Sequence, residues 1–189
     1  EYNYLVKQII KLSVISAVLV TLISLMVYGT AQQMLRLGAN NVPAQLVTET
    51  INRLNSGVSP RTVALPGNIE ISKSLYPFVV ILDQDKRVIV TSATLDGQIP
   101  SLPSGIFDYV AKNGQDRVTW QPYRGLRQAL VVDKYKNGPV TGYVVAGQSL
   151  KETEKLIDMI GKDVFIGWLV INAFAVASII FLEIFKKKK

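Results

Sequence analysis

The sequence predicts a mixed α/β domain, an antiparallel sheet with flanking helices, inserted between two membrane-spanning helices. Three observations predict it. Residues 12–35 contain no Asp, Glu, Lys or Arg, and neither do residues 164–182. Between these runs the hydrophobic pattern switches to short β-prone segments separated by Gly, Asn and Pro. Two stretches of helical spacing interrupt or precede those segments.

The apolar runs come first because they constrain everything else. A hydrocarbon core of about 30 Å needs about 20 mainly apolar helical residues, and both runs meet that length. For the first run the alternative is a secretory signal, since Lys7 and Lys11 precede it. The apolar core is long and no small-x-small cleavage site follows before "QQMLRL", which argues for a retained helix. For the second, the alternative is a buried core helix, disfavoured by its length and by the lysines at 186–189. Lysine at the outer end of each run predicts cytoplasmic termini and an extracytoplasmic middle. Residues 36–163 carry a net +3 of the formal +7, so the charge is largely a topological label and no nucleic-acid partner is expected. The expected organisation is a cytoplasmic flank (1–11), a first transmembrane helix with an outward extension (12–35), a sensor-like domain (36–148), an exit helix (149–163), a second transmembrane helix (164–185) and a lysine tail (186–189). The localisation expected is the cell membrane, multi-pass.

The first helix carries Ser13, Ala17 and Thr21 at spacing four, a stripe of small or weakly polar residues suited to helix–helix packing. Helix formers continue past Tyr28 through "GTAQQMLRLG", so the helix is expected to project beyond the apolar run until Gly38. Around Pro43 a second helix begins, with Val47, Ile51 and Leu54 on one face to cover a sheet or a second subunit. "SGVSPRTVALPGN" reads as a broken connection.

"YPFVVILDQDKRVIVTSA" then reads as two strands around residues 83–86, the first of them central because its apolar residues run without alternation. "LPSGIFDYVAKNGQD" is a short helix with Ile106, Phe107 and Val110 inward and Gly114 at its end. Three more strands follow in "DRVTWQP", "GLRQALVVDKY" and "GPVTGYVVAGQSL", the last two joined at "KNG", a hairpin signal. Ser149, three residues before Glu152, suggests a capping box opening an exit helix that runs straight into the second apolar run.

The chain has no cysteine and no histidine, which excludes disulfides, thiol catalysis, Cys/His metal sites and a histidine pH switch. No phosphate loop, dinucleotide fingerprint, nucleophile elbow or metal loop is present, so no catalytic residue, metal ligand or cofactor is assigned and the chain itself is expected not to be an enzyme. The segment "RVTWQPYRGLR" offers the best ligand surface: Arg117, Trp120, Tyr123 and Arg127, joined by Tyr143 if neighbouring strands bring them together. A buried aromatic beside a solvated turn is the alternative for the same residues.

In architecture the whole chain resembles the input half of a prokaryotic sensor histidine kinase with an extracytoplasmic PAS-like, single Cache domain. Locally the resemblance rests on "VVILDQDKRVIVTS", a strand, acidic turn and strand, and on "GPVTGYVVAGQSLKETEKLIDMI", a terminal hairpin passing into an exit helix. It implies a homodimer in the bilayer, an extracytoplasmic small molecule or protein as stimulus, and a longer parent protein carrying the kinase relay. Chemoreceptors and cyclic-nucleotide enzymes share such input modules, and a non-signalling membrane-anchored interaction protein is the remaining alternative.

Overall fold

The computed structural model describes residues 2–64 and 67–186; Glu1 and residues 187–189 of the expected lysine tail lie outside the described residues. The chain divides into two compact units, one made of residues 36–154 and the other of residues 1–35 with 155–189.

The second unit consists of α1 (Tyr2–Gly38) up to Leu35 and α5 (Lys151–Lys186) from Lys155. Both helices are long and apolar enough to cross a membrane, and no residue in the most apolar window of either is buried. Leu22, Leu25, Met26, Val170 and Phe174 are all more than half exposed, so an apolar surface surrounds the helices. Such a surface is costly in water, and a core helix would bury it.

Toward its end α1 crosses into the sheet unit without a break. Ala, Gln, Met, Leu and Arg keep the helix formed where polarity rises, as the propensities require. It stops after Gly38, where the Asn40 side-chain amide donates to the Arg36 carbonyl at 3.2 Å. α2 (Asn41–Asn55) begins at once.

The sheet unit is built on five strands: β2 (Phe78–Asp83), β3 (Val88–Thr91), β5 (Asp116–Tyr123), β6 (Leu126–Asn137) and β7 (Val140–Ser149). They lie in the order β3-β2-β7-β6-β5, every neighbouring pair antiparallel. The middle strand is therefore β7; β2, expected to be central, is second from one edge. Both faces of the sheet are covered. α2 packs Val47 and Leu54 on Ile81, Val131, Val144 and Ala146, whereas α4 (Ser104–Asn113) packs Phe107 and Val110 on Val80, Leu82, Leu130, Val132 and Val145. Consecutive residues of one strand thus serve opposite cores. That explains why "VVIL" and "YVVA" are apolar without alternation.

Tight turns sit where the sequence places positive backbone φ. Gly138 (φ 59°) opens the two-residue turn between Asn137 and Val140. Lys86 (φ 66°) closes the β2–β3 turn, in which the Asp83 carboxylate accepts the Arg87 N–H at 2.8 Å.

Two parts of this unit have no counterpart in the expected elements. Pro60–Val63 forms a one-turn helix, α3, with proline at its first turn. A two-residue strand β1 (Ile69–Glu70) pairs in parallel with β4 (Ala93–Thr94). Glu70 holds this corner together. Its carboxylate accepts from the Asp96 N–H (2.9 Å), the Ser72 hydroxyl (2.8 Å), the Thr94 hydroxyl (3.1 Å), the Gly97 N–H (3.2 Å) and the Ser72 N–H (3.3 Å). The Asp96 N–H foremost, then the Ser72 hydroxyl and the Gly97 and Ser72 N–H groups, lower its pKa from 4.5 to about 2. A carboxyl depressed in the folded state stabilises the fold fully above its ordinary pKa and ceases to do so as pH falls through the folded value. Glu70→Gln is accordingly expected to be less stable than wild type at pH 7, with the gap closing as pH falls from about 4.5 toward about 2. Urea titrations of both proteins along that pH series check this; a gap independent of pH refutes it.

Candidate functional site

The residues singled out in the sequence fall on both faces of the sheet. Trp120, opposite Gln128, and Tyr143, opposite Lys134, belong to the core beneath α4, where Tyr143 meets Phe107 edge-on with ring centroids 5.1 Å apart. Arg117 pairs with Val131, so its side chain shares the opposite face with α2; its Nε and Nη2 both donate to Gln115 Oε1 at 3.3 Å. Tyr123 is 43% exposed past a bulge at the end of β5. Arg127 lies four positions along β6 from Val131, on the order of 13 Å from the level of Arg117 at the usual rise per strand residue. Arg117 therefore converges with neither Tyr143 nor Arg127. The physical reasons differ: the two-residue period of a strand puts Tyr143 on the opposite face from Arg117, whereas Arg127 shares the face of Arg117 and is separated from it by distance along the strands.

Arg127 instead helps to build a junction. β7 ends at Ser149, a single residue, Leu150, follows, and α5 starts at Lys151. The Leu150 N–H donates to the Arg127 carbonyl at 3.0 Å, and Leu150 itself is 7% exposed. In the first turn of α5 the Glu154 N–H donates to the Leu150 carbonyl at 2.8 Å, while the Glu154 carboxylate meets Arg127 Nη1 at 2.6 Å. Glu152 and Glu154 suit the positive end of the helix dipole. Half exposed, the ion pair is worth no more than about 1 kcal/mol. Its geometry nevertheless joins the start of β6 to the start of α5 directly.

The expected capping box does not form. The Ser149 hydroxyl accepts from the Lys151 N–H at 3.3 Å, because β7 runs through Ser149 and delays the helix start. Glu154, the partner of Arg127, escaped the sequence reading. It is 27 residues away, and only the β6–β7 register brings the two together.

On α1, Thr21 is the member of the small-residue stripe that bonds to α5. Its hydroxyl donates to the Ala17 carbonyl at 2.7 Å and accepts from the Trp168 indole N–H of α5 at 2.9 Å. Ser13 and Ala17 are half-buried on the same side of the helix. Beside this contact an apolar groove of about 420 Å³ is lined by Leu25, Tyr28, Val164, Phe165 and Trp168.

Among the described residues no group of three or more acidic side chains is placed to hold a metal ion. Lys86 and Asp108 pair at 2.6 Å, and Arg87 with Asp85 at 3.5 Å, as surface ion pairs.

The molecule so defined is a mixed α/β domain with an antiparallel sheet, bracketed by two apolar helices. No protein-family model matches the sequence, and no curated protein matches it.

Proposed function

We propose that this chain is the input part of a membrane sensor: a PAS-like, single Cache domain that receives an extracytoplasmic stimulus and passes it across the bilayer to a histidine kinase region of a longer parent. One observation carries the reading. The middle strand of the sheet, hydrogen-bonded on both edges, leads through one residue into a helix long and apolar enough to span a membrane. A strand held by two neighbours moves only with the sheet, and a continuous helix resists bending more than a Gly/Pro-rich linker does. A change in the sheet is thereby converted into displacement of α5. In this reading both termini are cytoplasmic, the protein works as a homodimer, and residues 1–189 bind and transmit while covalent chemistry belongs to the kinase.

Because the chain has no cysteine, single cysteines report topology cleanly. Lys112→Cys, on the exposed end of α4, is expected to react with a membrane-impermeant maleimide in intact cells, and Lys7→Cys only after lysis. Protection of position 112 in intact cells, with labelling only after lysis, sinks the reading.

A further inference from the structure

We infer that the groove between α1 and α5 seats one phospholipid of the outer leaflet, a phosphatidylethanolamine whose phosphate and ammonium meet Lys162 and Asp158. The inference rests on the membrane reading above, and the experiment below separates its failure from the failure of that reading.

The groove, about 420 Å³, is bounded by one helix–helix contact at each end. At the inner end the Thr21 hydroxyl accepts the Trp168 indole N–H at 2.9 Å. At the outer end the Tyr28 ring lies against Gly161, where a Cβ would stand 3.2 Å from Tyr28 Cε2. The distance from one contact to the other is about 10 Å of helix on either side. Between them α1 offers Ser24, whose short side chain leaves the space unfilled, and one wall is made by Phe165 and Trp168, stacked with ring centroids 5.9 Å apart. The Thr21 hydroxyl is already spent, because it also donates to the Ala17 carbonyl at 2.7 Å. The lining is therefore almost wholly apolar. In a bilayer a surface of this kind is covered by an acyl chain or by another helix.

The charges at the outer mouth favour a lipid and specify its headgroup. α5 runs from the sheet domain toward the apolar run, so the order met from the groove outward is Phe165, Lys162, Gly161 and Asp158. Tyr28, at the level of Gly161, is the kind of residue that sits at the height of lipid headgroups. Lys162 and Phe165 are three residues apart, and Asp158 and Lys162 four, so all three lie on neighbouring parts of one helix side. Both charged residues are exposed, and among the described residues they pair neither with each other nor with Lys155 or Asp163. Asp163 points about 100° round the helix from Lys162. A lysine that stands just outside an apolar span keeps its stem on the apolar surface and its ammonium among the phosphates. One turn farther out, about 6 Å along the axis, the Asp158 carboxylate can only accept hydrogen bonds. Phosphatidylethanolamine presents matching groups in the same order: tail, phosphate, then an ammonium with N–H donors. A choline headgroup has no such donor, and a glycerol headgroup places no positive charge opposite Asp158.

Trp168 lines the groove, so its fluorescence reports the occupant. Bromine on an acyl chain quenches an indole at contact, while Trp120, 6% exposed in the sheet core, adds a constant background. The full chain is first reconstituted in brominated phosphatidylcholine, which is expected to quench Trp168; no quenching would sink the membrane reading and this inference with it. It is then placed in plain phosphatidylcholine containing a minor fraction of brominated phosphatidylethanolamine, phosphatidylcholine or phosphatidylglycerol. The ethanolamine lipid is expected to bind at least about threefold more tightly than the other two. Asp158→Asn and Lys162→Gln are each expected to abolish that preference, and so is Asp158→Lys combined with Lys162→Asp, which keeps both charges in the reverse order. The inference is overturned if the ethanolamine lipid quenches no better than the choline lipid, as when a second copy of the chain fills the groove. It is equally overturned if the glycerol lipid matches or exceeds it, or if Asp158→Asn retains the preference. None of these three results disturbs the quenching by bulk lipid or the labelling at position 112, which bear on the membrane reading alone.

Discussion

Phe78→Ala is expected to lower the stability of the sheet domain by about 3–5 kcal/mol, and Gly147→Val by about 1–3 kcal/mol, yet the double variant by less than the sum. Phe78 is 1% exposed at the start of β2, and its ring leans over β7 at Gly147, its cross-strand partner. A Cβ at position 147 would come within 2.5 Å of Leu130 Cδ2 and closer still to Phe78 Cζ, so the glycine makes space for the two side chains flanking it. Removing the ring leaves a cavity inside the α4-side core; adding valine forces the ring and Leu130 off their places. When both changes are made, the valine occupies part of the vacated volume. A double-mutant cycle by urea unfolding, followed by Trp120 fluorescence in a Trp168→Phe background, measures the coupling, expected at about 0.5–3 kcal/mol. Strict additivity would show that the glycine and the ring do not share that space.

On the other face, Leu54→Ala is expected to cost about 2–5 kcal/mol. Leu54, 1% exposed, is the last buried residue of α2 and packs in the cluster that contains Tyr135 and Val144. The next residue, Asn55, accepts the Lys136 N–H and so ties the end of α2 to the β6–β7 hairpin. Val47→Ala, two turns earlier, is expected to cost less, because fewer buried carbons are removed. Urea unfolding of the two variants checks the order, and an equal loss in both refutes it.

The elements were legible where one local cause determines each. An uncharged apolar run gives a long helix whatever surrounds it, hence α1 and α5. "KNG" needs positive φ, and Gly138 has it; "FDYVAKNG" has an apolar side and a glycine stop, and Phe107, Val110 and Gly114 behave accordingly. Arrangement was not legible in the same way. Nothing in the composition of β7 distinguishes a middle strand from β2, because both are apolar on two faces. The β1–β4 ladder is two residues long and depends on Glu70, whose donors at Ser72, Thr94, Asp96 and Gly97 are gathered from two loops. Tyr135 was passed over within an ordinary strand pattern. The room for its ring comes from the absence of a side chain seven positions later, at Gly142, once the hairpin has folded back.

The single-residue join at Leu150 has a consequence for angular phase. With 3.6 residues per turn, each residue added between Ser149 and Lys151 would rotate the side of α5 carrying Trp168 by about 100°, whereas seven added residues would return it to within about 20° of its starting azimuth. Substituting Leu150 leaves that azimuth unchanged, whereas adding or removing one residue there shifts it by about 100°.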